Sequence, residues 1–369
     1  MLGLDLPGLL GSLQRAAPGS GDLLLTVGCP PRVLVDGEGS PIPLPGLERL
    51  TPFQTEAVAL HLLALAPSAA AARLREQGAA HFAYSVSGVS RFRAAVFSQR
   101  GTLAVALRLI PERTPRLHEL GLPPAVAEAC RERNGVILVN GPGRSGRTTT
   151  LAAMISEINA ERSCHLITVE DPIEYLHRHM SATVNQREVG IDVPSLAQGL
   201  RDALWQSAQV LVASEVQREE EARLLLEAAE TGALVLTTLR GFDTASALAR
   251  FFALFPPAER VEARARLARS LRWSFSQQLL SAEGGLRPVV EVWRATRTMA
   301  DHVAQGDMDS ATMADLLRDG ESEGQLGFDR VLETLVRSGE LTVEAALAAS
   351  VLPRQLELRL LDVGGGGEG

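Results

Sequence analysis

Apolar and polar positions follow two regimes along the chain. Over residues 1–110, short runs suited to strands stand between Pro and Gly turns such as Cys29-Pro30-Pro31 and Asp36-Gly37. The spacing predicts strands at 23–27, 32–35, 81–86, 90–98 and 103–109, interleaved with helical sequence, and hence a small α/β domain with one sheet. Residues 57–72 (AVALHLLALAPSAAAA) are the most apolar helical stretch. His61 and Pro67 interrupt it and it is short for a membrane span, so it reads as a packed helix. Residues 111–115 (PERTP) begin and end on proline, which resists helix and sheet alike and marks a linker.

Beyond that linker the pattern changes. Four near-continuous apolar runs, GVILVN at 135–140, HLITVE at 165–170, QVLVAS at 209–214 and ALVLTTL at 233–239, alternate with helical sequence. Strands apolar on both faces belong in a parallel sheet covered by helices. Ligands of such sheets sit beyond the carboxyl ends of the strands, where each of these runs turns polar. Further on, helices are predicted at 258–280, 299–304, 310–318, 328–337 and 343–350, and the glycine-rich residues 364–369 predict a disordered tail. The expected layout is a first domain over 1–110, the linker at 111–115, and a second domain over 116–363 whose helical subdomain spans about 295–355.

The chemistry begins after GVILVN. Residues 141–150 read GPGRSGRTTT, which fits G-x-x-x-x-G-K-[ST] at Gly141, Gly146 and Thr148, with Arg147 where the lysine belongs. A strand before the loop and a helix-prone run after it supply the setting in which backbone N–H groups converge on an anion. Gly143, Ser145 and Thr149 complete the expected phosphate cradle, and Thr148 offers its hydroxyl to Mg2+. The next strand runs into Glu170-Asp171-Pro172-Ile173-Glu174. Carboxylates at this edge suit metal-bound water and proton removal from an attacking water, so Glu170 and Asp171 are candidate metal-site residues.

Composition narrows the partners. The chain has 369 residues, 46% hydrophobic and 22% charged, enough for two globular cores. A net charge of -8 argues against a broad surface for nucleic acid. All 36 basic residues are arginine, so no lysine elsewhere replaces the one missing from the loop, and a planar guanidinium is not interchangeable with a compact ammonium. Cys29, Cys130 and Cys164 are scattered, which suggests neither a zinc site nor a disulfide framework and fits a reducing compartment. The N-terminus has no basic segment ahead of an apolar core and does not resemble a secretory signal.

With these motifs in place, the chain resembles the PilT-type secretion ATPases, hexameric motors that retract type IV pili. The resemblance rests on ITVEDPIEY at 167–175, VNQRE at 184–188, and AAET at 228–231 with Thr237-Thr238-Leu239. In the first domain it rests on Gly21-Asp22-Leu23, Val35-Asp36-Gly37, Arg91-Phe92-Arg93 and Arg108-Leu109-Ile110-Pro111. It implies a PAS-like N-terminal domain ahead of a RecA-like P-loop domain. Glu174 falls at the catalytic-base position, and Glu215 at that of the Walker B glutamate beside the metal. Arg91, Arg93 and Arg108 fall where nucleotide is sensed across subunits. The resemblance also implies a hexameric ring, formed by this chain alone or with an active PilT-like ATPase. Such a ring works in the cytoplasm on an inner-membrane pilus platform protein, so membrane contact is peripheral.

The departures fall at phosphate-facing positions. Besides Arg147, Arg144 replaces a glycine of the family, Gln209 an aspartate, Ser214 a glycine and Gln217 an arginine; Ala233 and Arg240 replace both histidines of the histidine box. Pilus-extension and type II secretion ATPases carry a four-cysteine zinc insertion, which this chain lacks. The expectation is an ATP-binding ring subunit with weak or absent hydrolysis; the alternative is a working motor with Arg147 in the lysine's place.

Overall fold

The computed structural model describes residues 8, 10–11, 22–35, 38–43, 46–86, 90–110, 113–282 and 285–364. Two compact units emerge. One comprises Met1–Thr114, Asp171–Leu176 and Glu188–Asp192, the other Pro115–Glu170, His177–Arg187 and Val193–Gly369.

The first unit contains β1 (Asp22–Leu25), β2 (Arg32–Val35), β3 (Glu38–Pro41), α1 (Pro52–Leu65), α2 (Ser68–Gln77), β4 (Ala79–Val86), β5 (Ser90–Gln99) and β6 (Thr102–Ile110). They form one sheet of order β3-β2-β1-β6-β5-β4, antiparallel at every neighbour. All five expected strands are present. β3 is additional: its EGSP sequence has low strand propensity and survives at the sheet edge, where proline costs no ladder bond. The apolar stretch 57–72 falls in two helices, because Ala66, the residue before Pro67, takes an extended conformation and α1 stops at Leu65. Thr51 and Gln54 form a capping box at the start of α1. Val58 and Leu62 of α1 then pack against Leu23, Leu25, Phe82, Val96 and Leu107. Pro111 and Glu112 of the expected linker lie outside the described residues.

The second unit begins with the short α3 (Ala125–Ala129), β7 (Gly135–Asn140), α4 (Arg147–Glu161), β8 (His165–Glu170) and β9 (Thr183–Glu188). It continues through α5 (Leu196–Trp205), β10 (Val210–Ala213), α6 (Glu219–Glu230), β11 (Leu234–Leu239) and α7 (Thr244–Ala253). Then come α8 (Arg260–Ser270), β12 (Leu271–Ala282), β13 (Gly285–Arg294), α9 (Arg297–Gln305) and α10 (Ser310–Asp319). The last are α11 (Phe328–Arg337), α12 (Val343–Ala349) and α13 (Pro353–Gly364). The sheet order is β13-β12-β7-β11-β10-β8-β9. The four expected apolar strands lie side by side and parallel, as their two-faced burial demands.

One expected helix is half wrong. Of residues 258–280, only Arg260–Ser270 are α-helical, and from Leu271 the chain is β12, parallel to β7 on one side and antiparallel to β13 on the other. Trp273 and Phe275 share one strand face, stack with centroids 5.8 Å apart, and fill the core that holds Ile137 and Val139. That tertiary demand overrides a local pattern compatible with helix. The terminal helix α13 reaches Gly364, one residue into the expected tail, and residues 365–369 lie outside the described ones.

A polar seam crosses the core at the end of β7. Asn140 Nδ2 donates to Ser274 Oγ at 2.7 Å, and the Thr244 hydroxyl lies 3.1 Å from both Ser274 Oγ and Ser276 Oγ. Thr244 N donates to Glu291 Oε1 at 2.8 Å. Glu291 is fully enclosed, and burial, reinforced by the nearby Asp243 charge, pushes its carboxyl up to about 7. A carboxyl raised in the folded state contributes stability that is complete below its unfolded value of 4.5 and is lost as pH rises through about 7. Stability of the unmodified protein relative to Glu291→Gln should therefore fall by a few kcal/mol, at about 1.4 kcal/mol per pH unit, between these limits. Urea melts of both proteins across that window check it; parallel pH profiles would disprove it.

Candidate functional site

The parallel registers bring several strand ends to one edge of the second unit's sheet. Asn140 pairs with Leu239, and Ala213 pairs with both Thr237 and Val169, so the chain leaves β7, β11, β10 and β8 on the same side. The phosphate loop starts directly after β7, Arg240 and Glu215 follow within two residues of β11 and β10, and Glu170 is the last residue of β8. Loop residues 141–146 lead straight into α4, whose N-cap is Gly146 with φ 85°. The backbone at Arg144 has φ 65°, a left-handed conformation that costs a non-glycine residue about 1 kcal/mol. This is the strain that replacing glycine at 144 predicts.

Ser145 is buried and its Oγ has no hydrogen-bond partner among the described residues. A Cβ at Gly141 would fill the space beside that hydroxyl. An orphaned hydroxyl and a cradle closed to any side chain fit a loop that wraps an anion. Gly143 and Thr148 are exposed, and Thr149 is partly buried in the first turn of α4.

Arg147 turns towards the neighbouring strand ends. Its Nη1 donates to Leu239 O at 2.9 Å and its Nη2 lies 3.2 Å from Glu215 Oε2. Arg240 Nε approaches the other oxygen of Glu215 at 2.6 Å. The Arg147 and Glu215 side chains are 13% and 19% exposed, so this pair is largely removed from water. Burial lowers the Arg147 pKa, and the Glu215 charge opposes that shift. The two residues that replace the loop lysine and a histidine thus converge on one carboxylate.

Glu170 accepts from Thr168 Oγ1 at 2.6 Å and from Gln186 Nε2 at 3.0 Å. Both oxygens of Glu215 are held by guanidinium groups, so a metal ion taking Glu215 as a ligand would share that carboxylate with two cations. Among the described residues, no group of three or more His, Cys, Asp or Glu side chains is gathered to hold a metal.

Asp171 and Glu174 belong to the first unit, together with the three candidate arginines. There, Arg93 Nη1 lies 3.3 Å from Glu174 Oε1, and Arg108 forms a two-pronged pair with Asp22, both distances 2.6 Å. Hydrogen bonding to Asp22 raises the Arg108 pKa. Arg91 Nη2 meets Glu188 Oε2 at 3.3 Å, and that carboxylate also accepts from Ile173 N at 3.2 Å. Burial raises the Glu188 pKa against these bonds. Sequence reasoning did not single out Glu188, and it named Arg240 only as a lost histidine. It also missed Gln277, which lies inside the stretch read as helix. Alternation of Trp273, Phe275 and Gln277 was the available signal.

Residues 60–314 match the family described as Type II/IV secretion system protein. Over 344 residues the chain is 32% identical to the type IV pilus ATPase PilU of Pseudomonas aeruginosa, covering 93% of this chain and 88% of that one. It is 33% identical over 339 residues to the type IV pilus retractation ATPase PilT of the same organism, covering 92% and 96%. A crystal structure of the pilus retraction motor PilT with bound ADP matches with a TM-score of 0.84 at 36% identity, over 95% of this chain and 99% of that one. The fold class read from the sequence, an N-terminal α/β domain ahead of a RecA-like P-loop domain, is thus also that of a known retraction motor. On this breadth of matching, the chain belongs to the type II/IV secretion system protein family, among its PilT-type ATPases.

Proposed function

We propose that this chain is an ATP-binding subunit of a ring in the pilus-retraction machinery, with hydrolysis slow or absent. The single observation behind this reading is the Arg147–Glu215–Arg240 cluster. A loop lysine follows charge onto the transferring phosphoryl group as a compact point charge. Arg147 instead spends its planar fork on Leu239 O and Glu215. Moving it onto phosphate would break a partly buried ion pair, which costs up to about 3–5 kcal/mol when the charge left behind stays unpaired. Arg240 lessens that cost by remaining on Glu215, so phosphate binding survives better than turnover does.

In this reading Gly141, Gly143, Ser145, Gly146, Thr148 and Thr149 cradle the phosphates with main-chain and hydroxyl donors. Thr148, Glu170, Asp171 and Glu215 are the groups nearest in kind to magnesium ligands. Glu174 serves as base once released from Arg93, and Arg91, Arg93 and Arg108 reach a neighbouring subunit's nucleotide. The ring is hexameric, formed of this chain alone or with an active PilT-like ATPase, and works in the cytoplasm on an inner-membrane pilus platform protein. Binding draws on contacts made in the ground state, whereas turnover needs contacts that strengthen in the transition state, and the departures fall on the latter.

Equilibrium Mg-ATP binding and steady-state hydrolysis on one sample test the catalytic half. We expect measurable binding with turnover at background, a modest gain from Arg147→Lys alone, and a gain of about 10²–10³ when Arg240→His and Ala233→His are added. Robust turnover by the unmodified protein, abolished by Glu174→Gln, would return the chain to the working motors. The ring is tested separately by analytical ultracentrifugation with and without nucleotide and an active PilT-like ATPase. Species of several subunits are expected; a monomer under every condition would refute the ring.

A further inference from the structure

We infer that Gln277 is the positioning residue of the phosphate loop, an inference that rests on the nucleotide-binding reading above. Gln277 lies on β12 next to Ser276, which is in register with Asn140, so its main chain runs beside the first loop residue. Its side chain is buried, 3% exposed, and both ends of the amide are used. Nε2 donates to Ser145 O at 2.7 Å, and Oε1 accepts from Thr150 Oγ1 at 2.8 Å. A carbonyl oxygen only accepts, so the contact with Ser145 fixes which way the amide faces.

The consequence is directional. In a trans peptide the carbonyl and the following N–H point opposite ways. Holding the Ser145 carbonyl on Gln277 therefore aims the Gly146 N–H away from β12. That N–H belongs to the N-cap of α4, where an anion gains most from unpaired donors. The second hydrogen bond reaches Thr150, whose own N–H closes the first helical turn on Gly146 O at 2.9 Å. One amide thus ties the last turn of the loop to the first turn of the helix.

The motif glycines fit the same contact. A Cβ at Gly146 would stand 2.7 Å from Gln277 Nε2, and one at Gly141 would strike the Gln277 main-chain carbonyl. Both positions must stay bare for β12 to approach the loop this closely, beyond any need of the phosphate. Gln277 touches no reacting atom in this account; it acts through Ser145, Gly146 and Thr150.

Gln277→Glu keeps the shape but removes the donor to Ser145 O, Gln277→Leu removes both bonds, and Thr150→Val removes only the helix anchor. Hydrogen–deuterium exchange of the full chain without nucleotide is read beside Mg-ADP titrations and thermal melts. In both Gln277 variants we expect amides at 143–147 to exchange about tenfold faster while β7, β12 and the middle of α4 keep their protection. Mg-ADP affinity should drop about tenfold in both, and less in Thr150→Val. Unchanged loop exchange, or a speed-up no greater than in the rest of the second unit, would overturn the proposal by leaving Gln277 a purely structural residue. If the unmodified protein bound no Mg-ADP, the nucleotide reading would fall while the exchange data still decided the role of Gln277. Should Gln277→Leu not fold, Gln277→Glu carries the same comparison.

Discussion

β7 is buried along its whole length, with β11 on one side and β12 on the other. Val136, Ile137, Leu138 and Val139 are enclosed, each contributing roughly 1.5–3 kcal/mol relative to an exposed side chain. A strand held this firmly has little freedom of register, because a one-residue slip would break its close packing and carry Asn140 off the serines of β12. Its carboxyl end is therefore a fixed point. Asn140 turns its amide into the core, where Nδ2 donates to serines of β12 while Oδ1 has no hydrogen-bond partner among the described residues. The loop starts from a known place and direction, and the same strand that accepts from Asn140 supplies Gln277 to the other end of the loop.

Charge at the neighbouring strand ends follows a second logic. A chain whose cations are all arginine places forks at Arg147, where the phosphate-loop pattern has an ammonium, and at Arg240, where the family resemblance expects an imidazole. A fork matches carboxylate geometry well, and the nearest carboxylate is Glu215. Two substitutions that look independent along the sequence are thus one event in space. Arg240 at 61% exposure is held loosely and Arg147 tightly, so Arg147 dominates the cost of rearranging the cluster.

What the sequence made legible tracks how many faces of an element are buried. GVILVN and HLITVE match their strands end to end, because apolar residues at every position leave no other reading once length and turns are set. β12 was hidden because LRWSFSQQLL carries its apolar residues at spacings that also suit a helix face, and only the place beside β7 decides. Losing the strand hid Gln277 with it. The loop itself was readable through its glycines. The pairing of Arg147 with Glu215 was not, since 68 positions separate them and no local rule couples a loop to a strand end that far away.

The first unit shows the same economy of charge. Arg91, Arg93 and Arg108 each lie against a carboxylate of their own unit, with Glu188 nearly enclosed at 5% exposure and Asp22 gripped by both prongs of Arg108. These pairs differ in how readily they exchange partners. Arg93 and Glu174 are the loosest, one contact of 3.3 Å at 40% and 26% exposure, where water screens the attraction and little is lost on separation. Arg91 is anchored more firmly, because releasing it would strand a buried carboxylate that already carries a burial penalty. Arg93 is therefore the arginine that changes partner at least cost, and a competing anion would draw it from Glu174 before it drew Arg91 from Glu188. Such an exchange would leave Glu174 without a cation, which is the release that the proposed base role requires.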